Sequence, residues 1–399
     1  MDISSIAKSV PVSPIRRLVS YADQAKKRGI TVHHLNIGNP DIKTPEVMID
    51  VLKSWSQNPI GYSSSHGEQV FLESLTQYYA KLGFKLALSN IQSTIGGSEG
   101  LLWSFMACCN LGEEILTFEP LYANYISYAI MTGVNLVPIL TSIETGFHLP
   151  DAAAIERKIT KKTKAILICN PSNPTGTVYT KEEVDMIIDI AKRNNLYVLS
   201  DEVYREFVYD GKEAVSALSY SKEYPQGIVV VDSLSKRFSL CGARVGALVS
   251  LNKELMQSFL KFGQARLSAG LIDQLMSAKL VDVGEEYFRE VSQEYQHRRD
   301  ALVSGLNSIP GVVCPTPEGA FYVIVKLPVS NAEDFAQWLL TDFEDNKETV
   351  MVAPANGFYH TQGLGVDQVR IAYVLNTDKI KRSVDLIKLA LKKYNHKGN

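Results

Sequence analysis

Short apolar runs alternate with amphipathic stretches through the middle of the chain. The runs EILTFEP (114–120), NLVPILT (135–141), AILICNP (165–171), LYVLSDEVY (196–204), GIVVVDS (227–233) and VGALVS (245–250) are nearly continuous in apolar residues. Such runs predict strands buried on both faces. Between them lie stretches such as KEEVDMIIDIAKRNN (181–195), whose apolar residues recur at helical spacing. Strand and helix in alternation predict an α/β architecture, a mainly parallel sheet covered by helices.

The pattern changes after about residue 284. EEYFREVSQEYQHRRDALVSGLNSI reads as one long helix. GAFYVIVKL, a helix near 331–341, the strands VMVAPA and QVRIAYVL, and a terminal helix from Asp378 follow. This reads as a smaller α+β unit. The predicted division is a large unit over 47–285, and a small one made of 1–46 and 286–399.

Composition adds mostly exclusions. The chain has 399 residues, 45% hydrophobic and 21% charged, with a formal net charge of −2. That is long enough for a large core and gives no electrostatic footprint for nucleic acid or a membrane surface. No apolar run approaches a membrane span, and the opening MDISSIAKSVPVSPIRR lacks the apolar core of a signal peptide. Five scattered cysteines form no CxxC pair, which reads as buried thiols in a reducing compartment, so a cytoplasmic protein without a metal site is expected.

In an open parallel sheet, ligands bind beyond the carboxyl ends of the strands. Candidate chemistry therefore lies in the residues that follow each run. IQSTIGGSEG (91–100) brings Gly96, Gly97 and Ser98 to a helix start. This is either an anion site made of free N–H groups or a plain cap by Ser98. Asn173, in NPSNPTG, either presents its amide to a ligand or only shapes a turn. Asp201 and Tyr204 end LYVLSDEVY, and a carboxylate there is either a structural ion pair or the partner of a ligand cation. Lys236 follows GIVVVDS, flanked by Ser233, Ser235 and Arg244; it is either a solvated lysine or an amine held among these groups. Together they describe a site for an anion, a ring cation, a phenolate oxygen and a carbonyl caught by an amine. Pyridoxal phosphate has all four.

NPSNPTG, SDEVY, SLSKRFSLCGARVG and VRIAY, in this order, resemble the class I/II aminotransferases of the fold-type I pyridoxal-phosphate enzymes. The resemblance covers nearly the whole chain. It implies a large domain with a mainly parallel seven-stranded sheet, a smaller α+β domain, and a homodimer. It implies that Lys236 joins the cofactor and moves the substrate proton, and that Asp201 pairs with the ring nitrogen. Tyr204 and Asn173 would meet the ring oxygen, and Tyr122, in EPLYANY, would stack on the ring. Gly97, Ser98, the backbone of Glu99, Ser233, Ser235 and Arg244 would surround the phosphate, with Tyr62 reaching it from the neighbouring subunit. Arg370 and Gly38 would hold the substrate α-carboxylate, with Asn173 beside them.

The implied activity moves an amino group between an L-amino acid and a 2-oxo acid by a ping-pong mechanism, with aspartate the leading donor. Arg266, Arg16 and Arg17 are the candidates for a side-chain carboxylate, though each reads more readily as a surface or interface ion pair. Phe358, Tyr359 and His360 are candidate pocket residues. The same cofactor site also serves carbon–sulfur β-lyases and decarboxylases, and a cofactor-binding regulator is a third reading. No basic DNA-binding extension accompanies the chain to favour the last.

Overall fold

The computed structural model describes residues 1–397. After β1 (Thr31–His34), the strands β2 (Ile91–Thr94), β3 (Glu114–Glu119), β4 (Asn135–Leu140), β5 (Thr163–Cys169), β6 (Tyr197–Asp201), β7 (Ile228–Ser233) and β8 (Gly246–Val249) appear in turn. β2 to β8 form one seven-stranded sheet in the order β2-β8-β7-β6-β5-β3-β4. All pairs from β4 across to β7 are parallel, and β8 runs antiparallel to both of its neighbours. Every residue of β7 is buried, as its apolar run requires in a sheet covered on both faces. The helix Lys181–Asn194 begins with a Thr180–Glu183 capping box and ends at Asn195 in the left-handed region. Its buried face is Val184, Ile187, Ile188, Ile190 and Ala191, the stripe its spacing predicts.

All six apolar runs form strands. β2 is a correction to the sequence reading, which placed IQST within a glycine turn. Three of its four residues are polar, yet all four are buried. Thr94 Oγ1 donates to Gly96 O at 3.0 Å, and Gln92 Nε2 donates to Ser65 O at 2.8 Å. These bonds offset part of the cost of burying this polar edge strand, although among the described residues Gln92 Oε1 and Ser93 Oγ find no partner.

The remaining strands are β9 (Tyr322–Lys326), β10 (Glu348–Met351), β11 (Ala353–Pro354) and β12 (Gln368–Ala372). β11, β12 and β9 make an antiparallel sheet, and β10 pairs in parallel with β1. VMVAPA is thus two strands rather than the predicted one, because its halves serve different sheets. Leu35 ties those sheets together: its N–H donates to Met351 O at 2.9 Å and its C=O accepts from Ala372 N at 2.8 Å. The predicted long helix is Glu285–Asn307, and the terminal helix starts at Thr377.

His148 links two segments far apart in the sequence. Its Nδ1 lies 2.9 Å from Glu183 and its Nε2 lies 3.5 Å from Glu318. These two carboxylates raise His148 to about 9, against its burial. A histidine raised in the fold contributes stability that is complete below its unfolded pKa of about 6.5 and is lost as pH climbs through about 9. His148→Gln is therefore expected to lower the melting temperature by roughly 1–3 °C near pH 6, since the pair is partly solvated. Thermal melts across pH 6–10 check this, and the deficit should close at the alkaline end.

Candidate active site

Lys236 sits in a single helical turn, Leu234–Arg237, directly after β7. Ser233 caps that turn, accepting from Ser235 N at 3.2 Å. The two neighbouring cations face opposite ways. Arg237 turns inward to Asp232, Glu206 and the Tyr78 ring. Arg205 joins Glu202 and lies 3.9 Å from Asp232, which also accepts from Tyr79 OH at 2.7 Å. Burial alone would raise the Asp232 carboxyl, but Arg237 and Arg205 outweigh it and hold the group below its ordinary value. With its neighbour anchored this way, Lys236 points into a cavity of about 540 Å³. There its Nζ donates to Gly38 O at 2.8 Å.

Asp201 ends β6 beside this amine. It is nearly fully buried, and among the described residues no cation pairs with it. Tyr125 OH donates to its Oδ2 at 2.6 Å. Burial lifts the carboxyl to about 6 despite that bond and one from Val203 N–H. A carboxyl raised by desolvation gains most from a cationic partner. Tyr204 OH lies 3.0 Å from Tyr322 OH, and Tyr122 lies edge-on to Tyr125 at 5.4 Å.

At the other end of the cavity the helix Gly96–Cys108 begins. Its first turn carries Gly97 and Ser98, whose N–H groups have no partner within the helix. Ser98 is not the cap, because Ile95 holds that position without a side-chain bond. Gly96 has φ +68, and a Cβ there would meet Arg244 Nη2 at 2.5 Å. Glycine therefore lets the guanidinium approach the helix start. Arg244 Nη1 reaches Ser235 Oγ at 3.3 Å, and Ser233 Oγ donates to Ser235 Oγ at 2.8 Å. A helix start, two hydroxyls and a guanidinium make an anion site. The Glu99 carboxylate is turned away, accepting from Ile95 N at 2.7 Å and pairing with Arg266 at 2.6 Å.

Arg370, on β12, is 1% exposed. Its Nη1 donates to Asn173 Oδ1 at 3.1 Å and its Nη2 to Asn36 O at 2.6 Å, while its Nε has no partner among the described residues. The guanidinium stacks between the rings of Tyr322 and Phe358, 4.5 and 4.7 Å away. A cation buried with no carboxylate beside it is built to receive one. Gly38 has to be glycine here, since a Cβ would fall 1.8 Å from Tyr322 OH.

The fold so far sets an amine, a raised carboxyl, an anion cradle and an open guanidinium around one cavity. The profile of the family Aminotransferase class I and II matches residues 30–387. The chain belongs to the class I and II aminotransferases. Bacillus subtilis YugH, named as an aminotransferase without a stated substrate, is 31% identical, with 99% of this chain and 98% of that one aligned. A Pyrococcus horikoshii aspartate aminotransferase is 29% identical over 95% of this chain and 94% of its own. The solved structure of an alanine aminotransferase from Pyrococcus furiosus superposes with a TM-score of 0.89 at 27% identity, covering 98% of this chain and all of that one. The protein is thus a transaminase, of a family whose enzymes use pyridoxal phosphate.

Of the residues singled out in the sequence, this aminotransferase brings Gly38, Gly97, Ser98, Tyr122, Asn173, Asp201, Tyr204, Ser233, Ser235, Lys236, Arg244 and Arg370 to the one cavity, with Arg16. Glu99, Arg17, Arg266, Phe358, Tyr359 and His360 do not line it. Phe358 acts through Arg370, Tyr359 OH donates to Gln368 at 2.7 Å, and His360 N–H donates to Glu119 at 2.9 Å. Tyr62 is 85% exposed and away from the cavity of its own chain.

Three participants were missed. Tyr125 sits in the first turn of the helix Asn124–Thr132, three residues after Tyr122, whose ring it meets. Tyr322 and Asn36 gave no local signal, because each acts on a residue far away in sequence. Tyr125→Phe removes a hydrogen bond to a buried carboxylate, a loss of about 1.5–3 kcal/mol for the charged form. The Asp201 carboxyl is expected to titrate higher still in that variant, as read by NMR of labelled aspartate in the cofactor-free protein.

Proposed function

We propose that this transaminase takes the amino group of aspartate and passes it to a 2-oxo acid, using pyridoxal phosphate joined to Lys236. The observation that carries the reading is the convergence of Lys236, Asp201, Arg244 and Arg370 on one cavity. The residues fit the cofactor. Asp201, lifted to about 6 by burial, suits a ring-nitrogen cation, and the Arg244 cradle suits a phosphate. Tyr122 would lie on the ring, and Tyr204 with Asn173 would meet its oxygen. When bound, pyridoxal phosphate supplies an electron sink that acidifies the Cα proton of an amino acid attached to it.

The chain's own groups do the rest. Arg370 receives the α-carboxylate as a bidentate pair, between the Asn173 amide and the Gly38 backbone. Lys236 Nζ, held at the cavity wall, takes the Cα proton and returns one. Donor and acceptor use the same cavity in turn, which supports ping-pong kinetics. Aspartate as donor is supported by the Pyrococcus horikoshii relative and by the excess of cations lining the cavity. The exposed Tyr62 is available to a neighbouring copy, in keeping with a homodimer. The five free cysteines fit a cytoplasmic setting.

Lys236→Ala is expected to lose the visible absorbance that pyridoxal phosphate gains on joining a lysine. Turnover with aspartate should fall by at least about 10³-fold. Absorbance spectra and a coupled assay check both, and retained turnover would sink the reading.

A further inference from the structure

The substrate cavity has one cation more than a simple amino acid needs. Its charged lining residues are Arg16, Lys236, Arg244 and Arg370, against the single acid Asp201. In the reading above, Arg244 answers a phosphate, Arg370 an α-carboxylate, and Lys236 and Asp201 the cofactor ring. Arg16 is left over. Among the described residues, its side chain makes no hydrogen bond or ion pair.

The other two candidate arginines are committed elsewhere. Arg17 pairs with Glu333 at 3.0 Å and bonds Asn356. Arg266 is held by Glu99 at 2.6 Å and lies over the Trp103 ring at 5.2 Å. We infer that Arg16 is the second cation of the substrate site and selects amino acids that carry a side-chain carboxylate. This rests on the transaminase reading and names its substrate class.

The backbone around Arg16 is fixed while its side chain is free. Arg17 anchors one side of it. On the other side, Ile15 packs with the cluster that holds Phe358 and Ile324. Ile15 O also accepts from Asn36 Nδ2 at 2.8 Å, and Asn36 O in turn accepts from Arg370 Nη2 at 2.6 Å. Two hydrogen bonds through Asn36 therefore connect the guanidinium for the α-carboxylate to the residue preceding Arg16. The two cations are held in one frame, as recognition of both ends of a dicarboxylate requires.

The test uses the holoenzyme of the full chain and its Arg16→Gln variant. Single-turnover reactions with aspartate or alanine, without an acceptor, are followed by absorbance. Calorimetry measures binding of succinate, a dicarboxylate that cannot react. In Arg16→Gln, the aspartate reaction and succinate affinity are expected to fall about 10- to 100-fold while alanine changes by less than about 2-fold. Arg16→Lys should recover part of the loss. Equal losses for both amino acids, no loss for either, or a wild type that reacts with alanine in preference to aspartate would overturn the assignment. So would a selective loss in Arg266→Gln with none in Arg16→Gln. A wild type that reacts with no amino acid would instead defeat the transaminase reading itself, and the assignment with it.

Discussion

A buried ion pair beneath the Lys236 turn fixes where the amine can be. Asp232 is fully buried at the end of β7, and Arg237 is 1% exposed. Neither charge could stay in the interior without the other. Removing one partner of such a pair typically costs about 3–5 kcal/mol, because the survivor is left uncompensated. Tyr79, Arg205, Glu202 and Glu206 complete the surroundings. The pair locks the short turn to the strand, and Lys236, one residue earlier, is directed the other way. Strand register then brings in the second functional group. Cys169 lies beside Asp201, and Asp201 beside Val231, two residues before Ser233. The carboxyl at the end of β6 is thus delivered next to the amine by the sheet itself.

Much of this was legible in the sequence, because local pattern carries it. The apolar runs announced β3 to β8, and residues that follow β5, β6 and β7 line the cavity. The Ser-Lys-Arg turn was visible as a motif, but Arg237 was not visible as an anchor. Its partner Asp232 lies before the turn, and nothing local says that its side chain points to the far face. β2 escaped because its buried residues are polar. The division of VMVAPA escaped because it depends on β1 and β12, distant segments that each claim half of it. Gly38 illustrates the same limit. Its motif suggested a backbone role, while the reason for glycine is the hydroxyl of Tyr322, far along the chain.

The cavity separates two kinds of recognition. In the proposed reading, groups for ring and phosphate come from the ends of β6 and β7 and from the helix after β2. In the same reading, groups for the substrate come from β12, β9 and the N-terminal segment, which line the cavity around Arg370. That guanidinium is sandwiched by Tyr322 and Phe358, so its plane is set before any carboxylate arrives. Pre-set geometry reduces the entropy lost on binding.

The bond from Asn36 to Ile15 has an evolutionary consequence. It makes a segment outside every sheet a wall of the reaction chamber. Such a segment tolerates substitution far better than a buried strand end. If Arg16 selects the substrate as proposed, a lineage can revise residues 13–16, and with them the diet of the enzyme, while the residues on β6 and β7 stay as they were. Diversification within this fold therefore has a cheap route that begins at the front of the chain.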